Sequence, residues 1–97
     1  MVWTVSALDL VRDDAGAPDE LTQLIRTAQR QFDGLVRVIL MSDSSQPTSY
    51  LIVSEWAGHE ALAEAMRAGL LWVRRGCTVT WADGPIRVYD EVVNIAD

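Results

Sequence analysis

Histidine is the side chain that titrates nearest neutrality, and this sequence has one, His59, three residues after Trp56. In the first turn of a helix that imidazole is the default general base for an acidic phenol or enol. Arg75, with its neighbour Arg74, can hold the anionic oxygen of an enolate or carboxylate. Tyr89 and Tyr50 can donate a phenolic proton to a developing oxyanion. Trp56, Trp72, Trp81 and Trp3 make four tryptophans, many for 97 residues. Their planar, weakly polar rings suit a flat aromatic ligand. Each group also has a plainer role. Trp56 can be a core anchor at a strand end, and the other tryptophans can fill core and interface. His59 can be a solvated helix start, the arginines surface charges, and the tyrosines sheet-surface packing. Cys77 has no basic neighbour in sequence and reads as a small buried apolar residue. Asp90 and Glu91 point to opposite faces of a strand, so they are no carboxylate pair. A phosphate loop, a Ser-His-Asp order and metal-ligand spacing are all missing, so no metal and no cofactor is expected.

The elements that must carry these groups follow from the hydrophobic pattern. Val2 to Val11 is β-rich, with Trp3, Val5 and Ala7 on one face and Leu8 and Leu10 on the other. That slip predicts a bulge near Ala7-Leu8, or a strand buried on both faces. Asp13 to Pro18 is a turn-rich connector. Pro18 suits the first turn of a helix, Asp19 and Glu20 suit its positive end, and Asp33-Gly34 stops it. Leu21, Leu24, Ile25, Ala28 and Phe32 form its apolar stripe.

Leu35 to Met41 reads as a strand, Ser42 to Thr48 as a polar hairpin loop and Tyr50 to Trp56 as the returning strand. Gly58 to Arg67 is a second helix, with Leu62, Ala65 and Met66 inward and Glu60, Glu64 and Arg67 outward. Gly69 to Trp81 fits either a short helical face (Leu70, Val73, Cys77) or an extended run from Cys77. Ala82 to Pro85 is a turn, and Ile86 to Ile95 a final strand.

The order β-α-β-β-α-β predicts an α+β fold, the ferredoxin-like split βαβ sandwich. It has a four-stranded antiparallel sheet with both helices on one face. Residues 1–97 make one domain with a modest core. The strands carry apolar residues on both faces, and 49% of the chain is hydrophobic. Sheet-to-sheet pairing into a homodimer is the economical way to cover the second face. A net charge of −6 argues against nucleic acid and anionic membrane as partners. Met1 leads directly into an apolar alternating run without a basic leader, and no continuous apolar run is long enough to span a bilayer. A cytoplasmic protein is expected.

The stretch Tyr50-Leu51-Ile52-Val53-Ser54-Glu55-Trp56, followed by His59-Glu60-Ala61-Leu62, carries a resemblance. With the element order and the length, it resembles the antibiotic-biosynthesis-monooxygenase-like branch of the dimeric α+β barrel superfamily. The family pattern is an apolar strand ending in a charged residue and Trp, a short break, and a helix opening with Glu-Ala. The resemblance implies a homodimer whose sheets form a barrel, with a pocket in each subunit between sheet and helices. Trp56, Trp72, Trp81, Leu62 and Met66 would contact substrate there, and His59, Arg75 and Tyr89 would carry chemistry. In the family's polyketide oxygenases a polar residue stands four before the tryptophan and a tyrosine six after it. Here those positions are Ile52 and Leu62. The haem-degrading branch has a histidine ten after it, where Met66 stands, so haem is disfavoured. The implied function is a cofactor-independent, monooxygenase-like tailoring enzyme for an apolar aromatic or polyketide-like intermediate. A cyclase or isomerase using the same pocket, or a non-catalytic dimer binding a small hydrophobic ligand, are the alternatives.

Overall fold

A computed structural model of the chain describes residues 1–10, 16–68 and 81–96. The elements run β1 (Val2–Leu10), α1 (Ala17–Gln31), β2 (Leu35–Ser42), β3 (Ser49–Trp56), α2 (His59–Arg67) and β4 (Trp81–Asp90). The strands form one sheet in the order β2-β3-β1-β4, antiparallel throughout, so the expected ferredoxin-like α+β architecture is what the chain adopts. Among the described residues no helix is long and apolar enough to cross a membrane.

α1 forms where the sequence favours it. Pro18 lies in the first turn with Asp19 and Glu20, and Arg30 in the last, so the charges oppose the helix dipole. Leu21, Ile25 and Ala28 recur at i, i+4 and i+7 and are buried. They meet Val2, Leu8, Leu35, Ile52, Trp56 and, from α2, Leu62 and Ala65 in a single core. The C-terminal end of α1 turns tightly into β2. Phe32 N–H bonds Ala28 carbonyl at 2.9 Å, and Leu35 N–H bonds Phe32 carbonyl at 3.1 Å. Within that turn Gly34 accepts a bond from Ala57 N–H at 2.8 Å, tying the start of β2 to the β3–α2 junction. The β2–β3 loop is held by Asp43, whose Oδ1 accepts bonds from the Ser45 N–H and hydroxyl, both at 2.8 Å.

The Ser45 hydroxyl, and after it the Ser45 N–H, hold the Asp43 carboxyl below its ordinary value. A depressed carboxylate stabilises the fold above its unfolded pKa, and that contribution fades as pH falls through the folded one. Ser45→Ala should therefore move the Asp43 midpoint upward in an NMR titration of the carboxylate carbons. An unmoved midpoint would assign the shift elsewhere.

Four sequence expectations are corrected. β1 has no slip: Val2, Thr4, Ser6 and Leu8 are buried on one face without interruption. The expected bulge is present beside Ala7, with its extra residue in β4: Ser6 pairs with Ile86 and Leu8 with Asp83, so Gly84 and Pro85 both stand opposite Ala7. That is also why Ala82 to Pro85 is strand rather than turn. A bulge absorbs a proline, which has no N–H for the ladder. β4 ends at Asp90 instead of Ile95, because Asp90 pairs with Val2 and β1 extends no further. Val92, Val93 and Ile95 are accordingly exposed. Finally, Met66 is 50% exposed rather than inward. Trp72, Arg74, Arg75 and Cys77 lie outside the described residues.

Candidate functional site

Side chains alternate across a strand, so register decides which groups share the helix-covered face. On β3 that face carries Ile52, Ser54 and Trp56, and on β1 Val2, Thr4, Ser6 and Leu8. Trp56, the last residue of β3, is 1% exposed. Its indole Nε1–H donates to Thr4 Oγ1 at 3.0 Å, so the bulkiest core side chain has its polar atom satisfied. Thr4 stands directly opposite Ser54 in the ladder, and Ser6 one step along, opposite Ile52. The hydroxyls of Ser6 and Ser54 are buried and make no hydrogen bond among the described residues.

The centre of the inner face is therefore a strip of three neutral hydroxyls between apolar neighbours. On its β4 side the strip adjoins Ile86 and Val88. Ile86 pairs with Ser6 and Val88 with Thr4, so both point to the inner side, yet they are 42% and 52% exposed.

His59 opens α2 at the far end of the same strand. Its Nε2 lies 2.5 Å from Asp90 Oδ1, and both side chains are largely exposed, 67% and 72%. Asp90 pairs with Val2, and so continues the inner-facing row Ile86, Val88. The His59–Asp90 pair thus stands at the end of that row. With the Nε2 proton donated to Asp90, Nδ1 is left to accept. Tyr89 lies elsewhere. It is opposite Trp3 on the outer face and exposed, so it shares no surface with His59's partners on the inner face. Tyr50 pairs with Leu8 and packs against the core near the hairpin. Leu62 is buried in the same core cluster as Trp56. Trp81 pairs through its backbone with Leu10 at the start of β4.

The outer face is apolar over Val5, Ala7, Ile39, Met41, Leu51 and Val53. At one end Glu55 meets Arg37 at 3.8 Å, and the Arg37 guanidinium sits 5.5 Å from the centre of the Trp3 ring. At the other end a hollow of about 430 Å³ is lined by Ala7, Asp9, Met41 and Leu51. Among the described residues no group of three or more His, Cys, Asp or Glu side chains gathers as a metal site.

Sequence reasoning missed Thr4, Ser6 and Ser54. Parity was the available signal: Ser54 is two residues from Trp56, and Thr4 and Ser6 lie between Val2 and Leu8 at even spacing.

No family model matches the chain, and no curated protein matches it. Solved structures do. One is SnoaB, a cofactor-independent oxygenase from Streptomyces nogalater, at 19% identity and a TM-score of 0.70, with 99% of this chain and 97% of that one covered. A structure from Deinococcus radiodurans assigned as an antibiotic biosynthesis monooxygenase matches at 26% identity and 0.62, each chain covered in full. The haem degrader MhuD from Mycobacterium tuberculosis, with two haems in its active site, matches at 17% and 0.68, with 99% and 100% covered. The expected resemblance to antibiotic biosynthesis monooxygenase structures stands, and it extends over the whole chain.

Proposed function

We propose that this chain is a small cofactor-independent tailoring enzyme that oxygenates an apolar aromatic or polyketide-like intermediate on the inner face of its sheet. It works as a homodimer in the cytoplasm. The observation that carries the proposal is the inner face itself: buried Trp56 and its neighbouring hydroxyls, exposed Ile86 and Val88 beside them, and His59 and Asp90 at the end of that row. The fold shared with SnoaB supports it.

The chemistry needs little from the protein. His59 Nδ1 takes the acidic proton of an anthrone-type CH₂, and Asp90 fixes the ring and stabilises the imidazolium. The resulting carbanion passes one electron to O₂, and the radical pair closes a C–O bond. The peroxide takes back the proton and loses water, so CH₂ and O₂ become C=O and H₂O. The apolar walls of Trp56 and Leu62 desolvate and orient the anion. Trp72, Trp81, Met66 and Arg75 complete the proposed contacts from β4, α2 and residues 69–80.

Oxygen uptake with 1,8-dihydroxyanthrone tests this. The wild type should turn over, His59→Ala should fall about a hundredfold, and Asp90→Asn about tenfold. Uptake no faster than in buffer would leave the second reading, a ligand-binding module without turnover. The exposure of His59 favours that reading. Unchanged rates in His59→Ala would remove it as base. Proton transfer without oxygen uptake would mark an isomerase or cyclase.

The uncovered apolar outer face supports the homodimer. Sedimentation at twice the 10.8 kDa chain mass checks it; the monomer mass at micromolar concentration would refute it.

A further inference from the structure

Beyond the end of β4, three branched aliphatic side chains stand in water: Val92, Val93 and Ile95 are 95%, 69% and 82% exposed. The base of this segment is fixed. Glu91 N–H donates to the Met1 carbonyl at 3.1 Å, and the Glu91 carboxylate accepts the Trp3 indole N–H at the same distance. Asn94 Nδ2 adds a 3.3 Å contact to that carboxylate. Trp3 belongs to the outer face of the sheet, so the segment is anchored on the outer side. Residues with strong β propensity on a fixed base suit an extended arm that buries them against another surface.

The surface that fits lies at the far end of the same face, where Ala7, Met41 and Leu51 give the 430 Å³ hollow an apolar floor. Within one chain the arm cannot reach it. Ala7 lies five positions along β1 from Val2, the residue paired with Asp90, which is about 17 Å. Leu51 and Met41 are one and two strands further across. Val93 has only about 10 Å of reach beyond Asp90, and β4 is heading the other way. Even Ile95, with about 17 Å, falls short of Leu51. A second copy laid face to face with its strands reversed brings its hollow to the arm. Charge favours that arrangement. The Arg37–Glu55 pair is balanced, which leaves Arg87, without an ion pair among the described residues, in the arm's half of the face opposite Val5. Asp9 and Asp43 border the hollow in the other half.

We propose that residues 92–95 form an arm that seats Val93 and Ile95 in the outer-face hollow of a second copy, so that each chain completes the other's hollow. Side chains alternate along an extended arm, which sends Val93 and Ile95 inward and leaves Val92 outward. In a two-fold pair the contact is made twice, once by each arm. The inference rests on the reading of the outer face as a homodimer contact. It adds which segment crosses between the chains, where it lands, and that the strands of the two copies run in reversed sense.

Two measurements on the full chain test it: isotope-filtered NOE spectra of a mixture of labelled and unlabelled protein, and sedimentation across a concentration series. Methyl cross-peaks from Val93 and Ile95 to Met41 and Leu51 should run between chains. Ile95→Asp should weaken the dimer about a hundredfold or more, because a two-fold pair loses two seated side chains at once. Val92→Asp adds the same charge on the outward side and should stay within about threefold. Both substitutions lie outside the sheet and the core, so circular dichroism should match the wild type. A dimer without these cross-peaks, cross-peaks within one chain only, or equal affinities in the two variants would each overturn the inference and leave the outer-face dimer standing. A wild-type monomer at micromolar concentration would overturn both.

Discussion

Gly34→Ala is expected to destabilise the protein by about 3 kcal/mol or more, lowering the melting temperature by about 12 °C or more. A Cβ at Gly34 would lie 2.3 Å from the Cβ of Ala61, a separation that two carbons cannot hold. Neither atom belongs to a flexible side chain, so relief requires α2 to lift from the β2 start. That movement pulls against the Ala57 N–H bond to the Gly34 carbonyl and against buried Leu62 and Ala65. The loss is large beside the 5–15 kcal/mol or so that a domain has in total. Ala61→Gly in the same chain should restore most of it, and a thermal or urea melt of the double variant measures the coupling. A Gly34→Ala protein as stable as wild type would show that α2 is not pressed against this turn.

Trp56→Ala should cost about 3–5 kcal/mol, the usual range for removing a large buried aromatic. A buried tryptophan hides roughly 200 Å² of surface, and at about 25 cal/mol per Å² that is near 5 kcal/mol. The truncation would leave a void between β3 and α2 and strip the Thr4 hydroxyl of its partner. Trp56→Phe separates the two effects. It keeps most of the ring and loses only the indole N–H, so about 1–2 kcal/mol should go. Urea melts of both variants give the comparison. Equal losses would mean that the hydrogen bond to Thr4, rather than ring burial, dominates at this position.

Most of the frame was legible because it rests on spacing. The stripe Leu21, Ile25, Ala28 fixes α1, the Asp33-Gly34 stop lies at its end, and β2, loop and β3 fall within a residue or two of the expected bounds. What sequence could not reveal depends on partners. β4 was misjudged at both ends because its limits are set by β1: Gly84-Pro85 looks like a turn until Ala7 is placed opposite, and Val92 to Ile95 looks like strand until β1 runs out. Polar residues at inner positions are the harder case. The apparent slip in β1 came from counting only the apolar residues, which leaves out Thr4 and Ser6 between Val2 and Leu8 on the buried face. Of the expected substrate contacts, Trp56 and Leu62 lie in the core. The role of His59 was visible as an option, but its partner Asp90 lies 31 residues away and only the fold brings it close.

β1 occupies the middle of the sheet, between β3 and β4, although it precedes both in the chain. The indole of Trp3 closes on Glu91, 88 positions later. A ribosome therefore releases the central strand long before either neighbour exists, and one of its edges stays unpaired until β4 has been made. Contacts so distant in sequence slow the search for the native state, and an open apolar strand invites pairing with another chain meanwhile. Yield in the cell should thus depend on synthesis rate and on chaperone protection of the nascent N-terminal strand, beyond what equilibrium stability dictates.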